Sequence, residues 1–393
     1  MLLAAFVALF LIVSTSSVLL APSIAAEDFR PAAAEFQKLS GVEAHLKNIN
    51  KPSSPDGDLI DCVLSHLQPA FDHYKLKQQL PLDPPDRPKG YNSSADSLAA
   101  SFQLWRQSGE SCPEGTIPIR RTTEQDILRA SSVQRFGKKP LKSVRRDSSG
   151  SGHEHAVVFV NGEQYYGARA NINVWAPHVS PELYGDNYPR FFTYWTTDAY
   201  RETGCYNLLC SGFVQTNNKI AIGAAISPTS YYNGRQFDMG LMIWKTCNFE
   251  DIEVYELSLI KSRSRVLTNG SSMQDPRHGN WWLEFGQGVL VGYWPAYLFS
   301  HLGSHASMIQ FGGEVVNTRS TGFHTSTQMG SGHFAEEGYG KASYFRNLQI
   351  IDWDNSLLPV SNLRLLADHP NCYDIRQGKK QALGHLFLLW RSR

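Results

Sequence analysis

The sequence lacks an excess of charge of either sign, and it lacks the short motifs of several common enzyme classes. Its 37 lysines and arginines almost balance its 36 aspartates and glutamates, for a formal net charge of +1 at pH 7. This balance gives no reason to expect a nucleic acid or an anionic membrane as partner. The sequence also contains no G-x-S-x-G elbow, no phosphate-binding loop and no CxxC pair for zinc. We therefore expect neither a metal nor a cofactor.

Long apolar runs are missing except at the N-terminus, where residues 2–20 are almost wholly apolar. Small residues follow, so the pattern predicts a secretory signal peptide over residues 1–26, with a signal anchor as the alternative. No second spanning segment follows. The mature chain is therefore expected to be a monomer, free of the membrane and secreted to the extracellular space, cell wall or vacuole. The sequons at Asn92 and Asn269 are then candidate glycosylation sites.

Cysteine is sparse, with six residues in the whole chain, but export permits disulfides. Cys205 and Cys210 enclose a loop of four residues that is short enough to close as a local disulfide. Cys62 and Cys112 share the N-terminal half and can pair there. The remaining two cysteines have no evident partner.

The stretch from residue 27 to 147 is polar, rich in proline and poor in core material. Helical signals lie at Phe36 to Ile49 and at Thr122-Thr123-Glu124-Gln125, which has the pattern of a capping box. These features predict a small α+β pro-region. It ends in basic pairs and in the glycine-serine run Ser148 to Gly152, where a processing protease would cut. An ordinary interdomain linker fits this composition equally well.

From residue 148 to 375 the sequence predicts antiparallel β structure. Apolar runs alternate with turn residues, as in Ala156 to Val160, which is followed by Asn161-Gly162, the strongest short signal for a hairpin. The spacing favours a β-sandwich of jelly-roll-like character. One helix is expected to begin at Pro295. Further strands are expected at Ile172 to Trp175, Arg190 to Thr196, Gly212 to Gln215 and Ile220 to Ile226.

Histidine offers no convincing metal site. His301 and His305 lie four residues apart on the expected helix, as two zinc ligands would. The glutamate of an HExxH motif is missing, however, and Gly303 lies between the two histidines. His153 and His155 follow the glycine-serine run and are expected to be solvated.

A carboxylate in the expected strand around Gly312-Gly313-Glu314 needs an explanation, because glutamate is depleted in strands and costly to bury unpaired. One interpretation of Glu314 is a solvent-facing or hydrogen-bonded structural carboxylate. The other is acid–base chemistry, which requires a second carboxylate that meets it in space. Glu336 and Glu337 cannot meet each other on a strand, because adjacent strand residues point to opposite faces.

Long motifs in a characteristic order carry a resemblance to a known family. They are residues 204–213 (GCYNLLCSGF), Trp281-Trp282, Phe311-Gly312-Gly313-Glu314, residues 332–338 (GHFAEEG) and residues 368–374 (DHPNCYD). With these motifs the chain resembles the plant neprosin family over nearly its whole length. The N-terminal half, including the run that starts at Cys112, resembles that family's activation peptide.

The resemblance implies a secreted glutamic endopeptidase that is made as a zymogen and cleaves proline-containing peptides or proteins. It also implies an antiparallel β-sandwich that bears two glutamates across a cleft, with Glu314 as the second of them. One carboxylate would activate water as general base, and the other, kept protonated by its neighbour, would polarise the scissile carbonyl.

The segment that should carry the first glutamate is absent. The resemblance implies a Glu-Ala-Gly-Trp sequence between the parts that match residues 174–177 and 179–186, but here Pro177-His178-Val179 closes the gap directly. Glu182 and Glu202 are the candidate substitutes, and both flank turn-like sequence. We therefore expect weak or no peptidase activity.

Two further segments depart from the family pattern. Residues 246–274, which include Cys247, form an atypical insertion that is compatible with a surface loop or with an error in the gene model. The tail, residues 376–393, lacks the glycine- and aromatic-rich final strand and last cysteine that the resemblance implies. We expect this absence to leave Cys372 single and a sheet edge unpaired.

The alternative function is that of a non-catalytic extracellular module that binds glycan or protein. Aromatic side chains of the sandwich would supply the stacking platforms, although half of those on any strand should face the core. The candidates are Trp281, Trp282, Tyr293 and Trp294.

Overall fold

The computed structural model describes residues 56–92, 102–107, 109–130, 132–139, 153–179, 183–198, 203–246, 279–286, 288–317, 325–380 and 384–389. Several sequence-based predictions fall outside the described residues. They are the signal peptide, the helix at residues 36–49, the glycine-serine linker, nearly all of the 246–274 insertion with Cys247 and Asn269, and the two substitute acids Glu182 and Glu202.

The described part of the chain contains sixteen strands. They are β1 (Ile60–Leu64), β2 (Thr116–Arg120), β3 (His153–Tyr165), β4 (Gly167–Asn173), β5 (Tyr194–Trp195), β6 (Cys205–Tyr206), β7 (Val214–Gln215), β8 (Asp238–Lys245), β9 (Trp281–Phe285), β10 (Val289–Trp294), β11 (Ala306–Val316), β12 (Ser343–Ile351), β13 (Leu357–Pro359), β14 (Arg364–Ala367), β15 (Ile375–Lys380) and β16 (Gly384–Leu389).

Two antiparallel sheets form the body, which confirms the prediction of a mainly β sandwich. The large sheet has the order β15-β16-β12-β4-β8-β9-β10-β7, with β13 beside β12, and the small sheet has the order β11-β3-β14. Apolar side chains of both sheets meet in one core, in which Val158 and Phe311 of the small sheet join Ile172, Leu241 and Phe285 of the large one. Because strand side chains alternate, the residues between these core positions lie on the outer face of the small sheet.

The Asn161-Gly162 pair does not form the predicted hairpin. β3 continues through it to Tyr165, and Gly162 has a φ of +96°. The long partner strand β11 pairs on both sides of this point, with Met308 opposite Asn161 and Ala306 opposite Tyr165. The extra residues of β3 therefore bulge out of the ladder. The turn signal is overridden because pairing with β11 satisfies more backbone groups than a tight turn would.

Other predicted elements are shorter than expected. The helix predicted from Pro295 is a single 3-10 turn, Ala296–Leu298, and His301 and His305 lie in no helix. Serine and glycine follow this turn, and they propagate a helix poorly. Glu336 and Glu337 lie in the 3-10 turn Ala335–Glu337, so the strand argument applied to them is wrong.

The remaining strand predictions hold only in part. The run from residue 190 to 196 contributes just β5, and the run from 212 to 215 contributes β7. The segment from residue 220 to 226 makes only isolated bridges, from Ile222, Ala225 and Ile226. All residues from 220 to 226 are buried, and the bridges join this segment to Gln103, to Ile119 of β2 and to Arg190 instead of to one continuous neighbouring strand.

The N-terminal region contains a small α+β unit. β1 and β2 pair with each other, and the short helix α1 (Glu124–Arg129) begins at Thr123. A capping box is present one residue later than the predicted pattern Thr122 to Gln125, with Thr123 as the cap and Asp126 as the third helical residue. Both expected disulfides, Cys62–Cys112 and Cys205–Cys210, are also present.

Buried polar pairs join this unit to the body. Gln68 exchanges two hydrogen bonds with the backbone of Gln215, at 3.0 and 2.7 Å. Arg190, which is buried, forms ion pairs with Asp58 of the N-terminal region and with Asp186. The two units therefore share an interface that is polar at several fully enclosed positions.

The tail departs from what was expected of it. β15 and β16 lie within residues 375–389, and β16 pairs with β12 over Ser343 to Arg346, so the edge of β12 is covered. The prediction of an open edge there is wrong, because the tail itself supplies the missing strand. Cys372 is a free thiol, as expected. Within the described residues, no helix is long and apolar enough to cross a membrane.

Candidate functional site

Glu314 lies on β11, on the outer face of the small sheet, and its side chain is only 4% exposed. His155 of β3 is its direct partner across the ladder, and His153 is the diagonal neighbour two residues away. Alternation along β3 places both histidines on the same face as the carboxylate. The prediction that His153 and His155 are solvated is therefore wrong, because both belong to β3 and their side chains are only 17% and 25% exposed.

The partners of the Glu314 carboxylate within the described residues are all cationic or imidazole groups. The Lys139 ammonium donates hydrogen bonds to Oε1 at 3.2 Å and to Oε2 at 3.0 Å. The Nδ1 atom of His153 hydrogen-bonds to Oε1. The Nε2 atom of His155 lies 4.0 Å from the same oxygen. None of these contacts involves a second carboxylate.

This environment fixes the charge of Glu314. Burial by itself raises the pKa of a carboxyl group, but the hydrogen bond from His153 and the positive charges of Lys139, His153 and His155 outweigh it. Together they lower the pKa of Glu314 to about 2. The group is therefore ionised at neutral and mildly acidic pH, and no neighbouring acid shares a proton with it among the described residues.

Lys139 reaches this carboxylate from the N-terminal region. Its side chain is 7% exposed, and its ammonium lies 5.0 Å from the centre of the Tyr194 ring. Arg135 donates to the Lys139 carbonyl oxygen at 3.2 Å, and the Tyr206 amide donates to the carbonyl of Gly137 at 2.8 Å. The segment from Arg135 to Lys139 is thus held against β5 and β6, where it covers Glu314.

Two other acids lie near β11 and β3, but neither pairs with Glu314. Asp368 accepts hydrogen bonds from the backbone and from Nδ1 of His155, both at 2.9 Å, so it orients that imidazole. Glu154 points to the opposite face of β3, because it is opposite Val315 in the ladder, and it accepts from Asn317 at 3.0 Å. Glu154, which lies between His153 and His155 in the sequence, is therefore on the opposite side of the sheet from the Glu314 carboxylate.

The closed gap at Pro177-His178-Val179 lies close to this site. The backbone of His178 and the side chain and backbone of Gln328 form two hydrogen bonds, at 2.6 and 3.0 Å. The next residue, Met329, packs against Gly313, the residue before Glu314. Because Gly313 and Glu314 are adjacent on a strand, Met329 lies on the core face of β11, opposite to the Glu314 carboxylate. That the absent segment carried the partner of Glu314 stays a prediction.

The sequence-predicted stacking platforms are not available. The four aromatic side chains proposed for glycan binding are all buried, so the prediction that some of them serve as an exposed platform is wrong. Both faces of β9 and β10 are covered, one by the core and the other by the N-terminal region. The four are Trp281 at 2% exposure, Trp282 at 3%, Tyr293 at 1% and Trp294 at 5%.

Asn92 is exposed, and its glycosylation stays a prediction. Lys139 is the functional residue that sequence reasoning missed. No local pattern marks it, because its contact with Glu314 joins residues 175 positions apart. The alternation of His153 and His155 ahead of an apolar strand was a usable signal, since it continues the two-residue period of β3.

Two family models match the chain. The model described as Neprosin matches residues 155–389, which is well over half of the chain and includes much of the tail that was expected to be unlike the family. The model described as Neprosin activation peptide matches residues 51–159. The first match contains Glu314, and the second contains Lys139.

Proposed function

Because the chain belongs to the neprosin family and carries its activation peptide, we propose that it is a secreted, zymogen-type protein related to the proline-directed glutamic endopeptidases, with impaired peptidase activity. The observation that carries this proposal is the surroundings of Glu314. Its carboxylate is bonded to Lys139 and His153 and has no carboxylate partner among the described residues.

Hydrolysis by two acids needs one ionised group to take a proton from water and one protonated group to hydrogen-bond the carbonyl oxygen. Glu314 meets the first requirement, since it is ionised. It cannot meet the second, because a proton on Glu314 would replace the contacts with Lys139 and His153. The residues that surround it supply positive charge, but no described group supplies the missing acid.

The activation peptide adds a second block. Lys139 occupies both oxygens of Glu314, so a water molecule cannot hydrogen-bond in the same positions while that segment is bound. Removal of the pro-region would therefore uncover the carboxylate without restoring its partner. Two disulfides support export, and we place the protein outside the cell as a monomer whose substrate or ligand is a proline-containing peptide or protein.

One observation favours the alternative of a non-catalytic binding module: the contact between Glu314 and Lys139. The buried aromatic residues remove the basis for glycan stacking, but the enclosed contact between Glu314 and Lys139 has the chemistry of a binding site for a cationic side chain.

The test is cleavage of a proline-containing peptide at acid pH, by the intact chain and by the chain cut within residues 141–150. Each form is compared with its Glu314→Gln variant, which keeps the shape of the side chain. We expect no turnover above the variant in either form. Robust turnover by the cut chain that is abolished by Glu314→Gln would refute the proposal.

A further inference from the structure

The ammonium of Lys139 lies in an enclosed site that has the composition of a lysine receptor. Both oxygens of the Glu314 carboxylate accept from Nζ, at 3.2 and 3.0 Å, and the face of Tyr194 lies 5.0 Å away. A carboxylate and an aromatic face within about 6 Å are the two groups that best replace the water around an alkylammonium ion. The 7% exposure of Lys139 shows that this replacement is nearly complete.

The walls of the site belong to the body and the occupant belongs to the activation peptide. Glu314 of β11 and Tyr194 of β5 lie within the match to the Neprosin domain, whereas Lys139 lies only within the match to the activation peptide. His153 precedes the Neprosin match by two residues, but it belongs to β3, the central strand of the small sheet. The body also contacts the backbone on the N-terminal side of Lys139. The carbonyl of Gly137 accepts from the amide of Tyr206, and the amide of Lys139 lies 3.5 Å from the hydroxyl of Tyr194.

If this peptide leaves, the Glu314 carboxylate loses the Lys139 ammonium as its counter-charge. A buried carboxylate without its counter-charge is strongly unfavourable, so the empty site should favour a replacement. His153 alone does not supply it, because its Nδ1 atom contacts only Oε1, and Oε2 is the oxygen nearest to the Lys139 ammonium. His155 is held by Asp368 and stays 4.0 Å away.

We propose that the body of this protein binds the lysine side chain of a partner peptide in the site formed by Glu314, Tyr194 and His153, with Lys139 as the internal occupant of that site. This inference rests on the proposed function, since a Glu314 that has no acid partner is a recognition group. The partner is identified by its chemistry: an extended segment with a lysine that can be enclosed.

The first experiment empties the site without removing the peptide backbone. In Lys139→Ala, n-butylammonium, which reproduces the end of a lysine side chain, should bind and raise the thermal midpoint, whereas neutral n-butanol of the same size should not. Wild type and Lys138→Ala should show no such response, because the site is filled in both. Lys138 is the matched control, since it is exposed and carries the same charge.

The second experiment uses Lys139→Ala cut within residues 141–150, as the non-covalent complex that the cut should leave, so that the site is empty and the end of the activation peptide is severed. A short peptide that contains one lysine should bind at least about tenfold more tightly than the same peptide with norleucine, and Glu314→Gln should abolish this difference. Near-ultraviolet circular dichroism checks that each variant is folded. Should Glu314→Gln not fold, Lys139→Met in the intact chain replaces it, because a neutral side chain that fills the site should eliminate the response to n-butylammonium.

Absence of n-butylammonium binding to folded Lys139→Ala, or equal affinity for the lysine and norleucine peptides, would overturn the proposal. Both measurements record binding, so a failure here differs from a failure of the proposed function, which would appear as peptide cleavage.

Discussion

At the scale of a residue, the state of Glu314 follows from what a buried carboxylate needs. An ionised acid that is 4% exposed persists only where positive charge and hydrogen bonds replace water, and Lys139 and His153 supply both. The same contacts make the group a poor proton donor. The chemistry of the site is therefore set by its neighbours and not by the glutamate itself.

The stability that Glu314 contributes should depend on pH. Its pKa in the folded chain is about 2, against 4.5 for an ordinary glutamate, so its stabilising effect is present above about pH 4.5 and is lost as the pH falls towards 2. By linkage the contribution is on the order of 3 kcal/mol. Urea unfolding should show wild type more stable than Glu314→Gln near neutral pH, with the gap closing in acid.

The control for this series is Glu336→Gln, which removes the charge of an exposed glutamate. Its unfolding curve should follow that of wild type at every pH. A gap between wild type and Glu314→Gln that is the same in acid as at neutral pH would mean that the folded and unfolded pKa values are equal.

Sequence reasoning identified Glu314 but not its surroundings. A carboxylate between two glycines and two β-branched residues can be recognised from the sequence alone. The contact with Lys139 cannot, because it depends on how a distant segment packs against β11. His153 and His155 were predicted to be solvated because the sequence composition places the start of β3 too late. His153 follows a glycine-serine run, and only its pairing with β11 shows that it belongs to the strand.

At the scale of an element, long-range strand pairing determined the structure where the local turn signal predicted a different one. Asn161-Gly162 has the composition of a tight turn, yet β11 holds both sides of it in one strand. The 3-10 turn after Pro295 stays short because no long apolar face follows it. In contrast, a capping box depends on residues close in sequence, and the one at Thr123 was predicted to within one residue for that reason.

The two disulfides should differ in what they contribute. Cys62 and Cys112 are separated by 50 residues and Cys205 and Cys210 by 5. Loop-closure entropy predicts about 4 kcal/mol of stabilisation for the first and about 2 kcal/mol for the second. Cys62→Ala with Cys112→Ala should therefore lower the urea midpoint more than Cys205→Ala with Cys210→Ala. The reverse order would show that the small loop supports the structure in another way.

The buried ion pairs of Arg190 make a second prediction at this scale. Asp58 and Asp186 share the guanidinium of Arg190, whose side chain is 2% exposed. Arg190→Leu therefore leaves Asp186 without its cation and leaves Asp58 with Arg120 alone. We expect a loss of about 3 kcal/mol or more in the free energy of unfolding. Arg376→Leu is the comparison, because that arginine is exposed, and it should leave the denaturant midpoint nearly unchanged. Equal effects of the two substitutions would contradict the structural role of Arg190.

At the scale of the whole molecule, the activation peptide and the body are packed as one structure. Glu284 of β9 is buried and accepts hydrogen bonds from Arg87 at 2.7 Å and Tyr91 at 2.6 Å, both of the N-terminal region. The side chain of Gln68 donates to the backbone oxygen of Gln215 and accepts from its backbone nitrogen across the same interface. Separation would break these hydrogen bonds and would expose the apolar contact of Phe71 and Leu76 with Trp282 and Tyr293, so the two parts should resist dissociation near neutral pH.

Cutting the chain within residues 141–150 should therefore leave a non-covalent complex. The two pieces should elute together in size-exclusion chromatography near neutral pH and separate in denaturant. Arg190→Leu, which breaks the pairing with Asp58, should make the cut complex dissociate more readily. Immediate separation of the cut wild-type chain at neutral pH would show that the linker, and not the interface, holds the activation peptide in place.

The central claim is that cationic groups hold Glu314 as a carboxylate, and its most direct test is a nuclear magnetic resonance titration of the Glu314 side-chain carboxyl carbon in the intact chain. We predict a pKa of about 2 for wild type and a higher pKa in Lys139→Ala, because one positive charge is lost. A wild-type pKa at or above the ordinary glutamate value of 4.5 would contradict the account, since it would mean that Glu314 holds a proton as one member of an acid pair does.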